Sequence, residues 1–168
     1  TNAFDRWLAN DVYQIRYDEL RERIAANRQG VAFLLMEFLP GAERSMDCLV
    51  EHGQLRLCVT RRKSTEREQF IDPDPASQQL AARLCQRLGL HGVINIQTRE
   101  RLLPDGQYQS CLLEINPRMS GGVDMCRAAG VNLPLLALRM LYGTLGPLPE
   151  PRWGLHVTLA EYGLALVR

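Results

Sequence analysis

The sequence has almost no lysine. Lys63 is the single lysine among 20 basic residues, an imbalance that codon usage alone can produce. Chemistry needing several lysines must therefore draw them from outside these residues. Net charge is also missing: 20 basic against 19 acidic residues leave +1, too little for the basic field that attracts nucleic acid or an anionic membrane. No apolar run approaches the roughly 20 residues of a membrane helix, and no charged leader with an apolar core is visible. These features lead us to expect no nucleic-acid or membrane partner and a cytoplasmic location. The five cysteines, Cys48, Cys58, Cys85, Cys111 and Cys126, are an odd set with no C-x-x-C pair. They read as small buried hydrophobes in a reducing compartment, not a zinc cage or disulfide framework. His52, His91 and His156 are scattered without ligand spacing.

What is present is ordinary globular composition, 46% hydrophobic and 23% charged over 168 residues, enough for one domain with a sizeable core. The chain opens Thr1-Asn2-Ala3 without methionine. A processed terminus would account for this, but the motifs below favour a piece of a longer protein. Asp18 is placed to cap a helix over 19–28, which Gly30 stops. The apolar run Val31 to Leu39 predicts a buried strand ended by Pro40-Gly41. Residues 45–50 and 54–60 read as a hairpin. Residues 61–74, charged and proline-punctuated, read as a mobile loop. Asp74-Pro75 starts a helix that Gly89 ends. Strands 93–99 and 108–115 flank a Pro104-Asp105-Gly106 turn. A short helix reaches Ala129, Asn132 caps another through Tyr142, and a strand pair over 155–167 closes the chain. Hairpins with helices between them predict an α+β fold with a largely antiparallel sheet flanked by helices.

The most informative stretch is Glu114-Ile115-Asn116-Pro117-Arg118-Met119-Ser120-Gly121-Gly122. Glu114 and Asn116 stand two apart on a strand, so both side chains leave one face. An acid beside an amide offers hard oxygen ligands suited to Mg²⁺. Arg118 follows where Pro117 ends regular pairing, placed to put a bidentate cation beside a phosphate. Gln97 on the preceding strand is another oxygen ligand that can face Glu114 across a hairpin. A solvated edge strand with an Asn-Pro turn would explain the tripeptide alone, but not the whole string.

This string resembles the ATP-grasp superfamily, and within it the carbamoyl phosphate synthetase and biotin carboxylase branch, whose E-x-N-P-R segment ends a metal-binding strand. The resemblance implies that Gln97, Glu114 and Asn116 bind one or two Mg²⁺ ions (Mn²⁺ being an alternative) between ATP phosphates. Arg118 would steady the phosphates or an acyl-phosphate intermediate. Gln97, where many relatives carry an acid, matches the synthetase branch and leaves one less charge for a second metal. Upstream, Met36 to Asp47 looks like the family's adenine hinge followed by its G-x-E-x-S-x-D strand. Glu37 and Leu39 would offer backbone groups to adenine, with Phe38 between them on the other face. Glu43 would accept from the ribose hydroxyls.

Strand 54–60 runs into Arg61-Arg62-Lys63. Period two puts Arg61 and Lys63 on one face, and in related enzymes a basic residue here reaches the γ-phosphate; a solvated charge run is the other explanation. The resemblance covers about 17–143 and divides the chain into a lid remnant, 1–35 (a helix plus an incoming strand), and an ATP- and metal-binding carboxyl-terminal part, 36–168. The family's glycine-rich phosphate loop and lid lysines have no counterpart before Val31. The resemblance thus implies part of an ATP-dependent ligase that phosphorylates a carboxylate for attack by an amine or similar nucleophile. Its partners would be those small-molecule substrates and the rest of a parent chain. A nucleotide-binding module inactive by itself is the alternative.

Overall fold

The computed structural model describes residues 15–26, 36–64, 68–158 and 160. The chain divides into two compact units, Thr1–Phe38 and Leu39–Arg168. In the first, helix α1 (Tyr17–Ala25) starts earlier than expected, with Arg16 at the N-cap. Asp18, expected as the cap, instead lies in the first turn and pairs with Arg16, where its charge still suits the helix N-terminus. Most of the strand expected over 31–39 falls on residues 31–35, outside the described residues, and 36–40 have no regular structure.

The second unit is a six-stranded sheet. Strands β1 (Glu43–Glu51), β2 (Gln54–Lys63) and β3 (Glu68–Ile71) precede helix α2 (Pro75–Leu88). Strands β4 (Gly92–Leu102) and β5 (Tyr108–Asn116) follow, then helices α3 (Met125–Ala128) and α4 (Leu133–Leu141) and strand β6 (Leu155–Thr158). The order is β5-β4-β1-β2-β3-β6, with every pairing antiparallel. The β1–β2 hairpin turns on His52 and Gly53, both with positive φ, the geometry a tight hairpin demands. Asp74 caps α2 by accepting from the Ser77 backbone N–H at 3.0 Å, and Gly89 ends that helix in the left-handed conformation. Asn132 caps α4 in the same way, accepting from Leu135.

The expectation of a loop over 61–74 is corrected. Strand β2 continues through Lys63, and β3 lies between β2 and β6. The charges that suggest a loop sit at the ends of this short strand, while Gln69 and Ile71 turn inward and are buried.

Register explains where the core and the site fall. On one face Met46, Cys48 and Val50 of β1 join Cys58, Ile94 and Ile96 and are covered by Ala81 and Cys85 of α2. On the other, Leu49, Val59, Ile71 and Val93 pack under α3 and α4 with Cys126, Ala129, Val131, Leu133 and Leu136. That second cluster occupies only part of its face. The remainder, toward Glu43, Lys63 and Asn116, is polar. The cysteines are free, four of them buried, as their apolar neighbours predict. Among the described residues no helix is long and apolar enough to cross a membrane.

Leu49 is fully buried between β1 and the α3–α4 layer, whereas Leu138 on α4 is 54% exposed. Leu49→Ala should cost about 2–5 kcal/mol and Leu138→Ala less than about 0.5 kcal/mol, as measured by urea unfolding. Equal effects would show that the core is misplaced.

Candidate functional site

Two rows of paired residues cross the polar part of the sheet. In one, Glu114 of β5 pairs with Gln97 of β4, Gln97 with Ser45 of β1, and Ser45 with Arg61 of β2. In the next, Asn116 pairs with Asn95, Asn95 with Asp47, and Asp47 with Val59. Because side chains alternate along each strand, these polar groups share one face. A bulge between Gln97 and Thr98 in the β4–β5 ladder lets the first half of β5 run in a different register without disturbing this end, as bulges do beside functional sites.

The centre of the face is buried. Arg61 is 2% exposed and Asp47 0%, and the two form an ion pair at 2.6 Å in which Arg61 Nε also donates to Asp47 Oδ2 at 2.7 Å. The other guanidinium nitrogens donate to Gln69, to Ser45 Oγ at 3.1 Å and to Ser120 Oγ at 3.0 Å. Asn95 donates to Ser45 Oγ at 2.8 Å and to Asp47 Oδ1 at 2.9 Å. Cys126 lies 3.4 Å from Asp47 Oδ2; burial, and then the neighbouring carboxylate, push its thiol pKa up, so it stays a neutral donor. Burial of this many polar groups is tolerable because each has a partner.

Outward from this floor the groups become accessible. Gln97 and Asn116 are half-buried, and Glu114 and Arg118 are exposed. Gln97 donates its amide N–H to Asn95 Oδ1 at 3.0 Å, and Asn116 donates to Glu114 Oε1 at 2.7 Å. With the NH₂ end of each amide tied to a protein acceptor, its carbonyl oxygen is the end left for a cation. The donor set is thus two amide oxygens and one carboxylate, a hard set that fits Mg²⁺ or Mn²⁺ and not a soft metal.

The structure sorts the three candidate cations. Lys63 stands at the rim, 38% exposed, paired with Glu43. Arg118 follows β5, its Nη1 donating to the Met119 carbonyl at 3.1 Å. Arg61 departs from the expectation of a phosphate-reaching cation, because every one of its side-chain nitrogens is engaged beneath the surface. Of the hinge residues, Glu37 and Phe38 belong to the first unit and Leu39 to the second. Within the second unit the backbone after Leu39 is fastened to β4: Gly41 N–H donates to the Glu100 carbonyl at 2.9 Å and Ala42 N–H to the Glu100 carboxylate at 3.1 Å.

The sequence motifs give no role to Asn95, Gln69 or Ser120, and they include Asp47 and Ser45 only as members of the G-x-E-x-S-x-D pattern. A signal was there for Asn95, which interrupts the apolar run Val93-Ile94-x-Ile96 two residues before Gln97. Gln69 and Ser120 had none, because their partner Arg61 lies on a different element.

Residues 29–161 match the family described as ATP-grasp in the biosynthetic pathway with Ter operon, and the chain belongs to that family. Carnosine synthase 1 of the chicken, Gallus gallus, is 35% identical over 160 residues, a match covering 82% of this chain and 17% of the relative. The chain thus spans about a sixth of the length of that curated relative.

Asp47→Ala would strand the Arg61 charge in the interior. It should destabilise the fold by about 3–5 kcal/mol, and the double replacement Asp47→Leu/Arg61→Met should recover at least half of that. Denaturant unfolding of the three proteins checks this; a single variant as stable as the wild type would mean the pair is solvated.

Proposed function

We propose that this chain is the carboxyl-terminal ATP- and Mg²⁺-binding portion of an ATP-grasp ligase. That ligase activates a carboxylate as an acyl phosphate, which an amine or similar nucleophile then attacks. The observation that carries the reading is the alignment of Gln97, Glu114 and Asn116 on one face, with the amide N–H groups of Gln97 and Asn116 tied to Asn95 and Glu114. Membership of the ATP-grasp family and the likeness to a protein named as a carnosine synthase support ligase chemistry. Gln97 in place of an acid favours the carbamoyl phosphate synthetase and biotin carboxylase branch.

Gln97, Glu114 and Asn116 would hold Mg²⁺, which when bound neutralises charge on a transferring phosphoryl group. Lys63 and Arg118, whose cations lie at the surface, contact the phosphates. Glu37 and Leu39 offer backbone groups to adenine with Phe38 beside them, and Glu43 exchanges Lys63 for the ribose hydroxyls. Arg61 is assigned to the floor, not to the nucleotide. The presence of only one lysine in 168 residues favours one further point: the isolated chain binds nucleotide but lacks phosphate donors that the rest of a larger protein supplies.

Two outcomes test this. Glu114→Ala removes the only carboxylate of the donor set and should weaken Mg²⁺-dependent ATP binding at least about tenfold, since charged partners contribute about 1.5–3 kcal/mol each. It should leave Mg²⁺-independent AMP binding unchanged; calorimetric titration with and without EDTA reads both. The isolated chain should consume ATP at least about a hundred- to a thousandfold more slowly than a full-length parent given its carboxylate, the cost of losing one well-placed donor to developing charge. Multiple turnover by the 168 residues alone would overturn the division of labour.

A further inference from the structure

The E-I-N-P-R string and the buried Arg61 are held together by contacts that neither motif predicts. The segment between β5 and α3, residues 117–124, crosses directly over the Arg61 guanidinium. Ser120 Oγ accepts from Arg61 Nη2 at 3.0 Å. A Cβ on Gly122 would lie 2.5 Å from Arg61 Nη1, so the backbone passes as close as a glycine permits. Met125 Sδ lies 3.9 Å from the same nitrogen. The guanidinium cannot yield to a bulkier neighbour, because Asp47, Ser45 and Gln69 hold it from below.

We propose that Arg61 is a positioning residue for Arg118. The inference rests on the metal–phosphate reading given above. Asn116 is anchored by strand pairing with Asn95 and Ser120 by Arg61, so only Pro117, Arg118 and Met119 lie between two fixed points. Proline locks its own φ, and three residues between anchors leave little slack. The approach of the Arg118 backbone to the metal-binding face is therefore set by a charge that touches no ligand. Arg61 acts through Ser120, and its own charge is neutralised by Asp47.

The test uses the 168-residue chain with Ser120→Ala, Gly122→Ala, Arg118→Ala and the Ser120→Ala/Arg118→Ala double variant. It reads the affinities for MgATP and AMP and the trypsin cleavage rate at the Arg118–Met119 bond. Loss of one buried hydrogen bond should raise local opening, and so cleavage, about fivefold in Ser120→Ala. MgATP affinity should fall by a similar factor while AMP affinity holds, and Gly122→Ala should move both readouts in the same direction. The distinguishing result is coupling: the Ser120→Ala effect on MgATP should vanish once Arg118 is alanine. An equal Ser120→Ala loss in the Arg118→Ala background, or faster cleavage with unchanged MgATP affinity, would overturn the positioning role while leaving the metal–phosphate reading in place. Failure of the wild-type chain to bind MgATP at millimolar concentration would overturn that reading and the positioning role with it.

Discussion

The site depends on a buried ion pair. Asp47 and Arg61 meet diagonally across β1 and β2, and both are buried. Desolvating two charges is expensive, and attraction offsets it only where the remaining donors and acceptors are also satisfied. Here they are: Ser45, Gln69 and Ser120 accept from the guanidinium, and Asn95 and Cys126 lie against the carboxylate. The pair therefore recruits side chains from every strand between β4 and β3 and from the segment after β5. An apolar pair of the same volume would fill the space, but it would not specify where those five polar groups sit.

Polarity on this face is graded. Leu49, Val59, Ile71 and Val93 are sealed beneath α3 and α4. The charged pair comes next, then half-buried amides, then the exposed Glu114, Lys63 and Arg118. Low dielectric beneath the amides strengthens the bonds that orient them, while the outer groups remain free to exchange partners.

The opposite face supports the approach to the site. Arg44 pairs with Asp74, the cap of α2, at 2.8 Å and also with Glu100. Glu100 in turn accepts from the Ala42 backbone, and a Cβ on Gly41 would collide with the Glu100 side chain. The start of β1, the start of α2 and the carboxyl-terminal end of β4 are thus tied at one point, which fixes the backbone immediately after Leu39.

Much of the fold was legible because it is written in local signals. The Asp74-Pro75 and Gly89 boundaries of α2, the Asn132 cap and the hairpin turn at Gly53 follow from backbone chemistry that needs no distant partner. Strand β3 was not legible: its inward residues are one glutamine and one isoleucine, and the value of Gln69 lies in a guanidinium eight residues away. The common face of Glu114 and Asn116 is a consequence of period two, so the sequence by itself determined that an acid and an amide leave one strand together. Whether Gln97 joins them, which of Arg61 and Lys63 keeps its cation at the surface, and what holds Ser120 depend on strand register and burial. These are set by the packing of the whole sheet, and only the tertiary structure decided them.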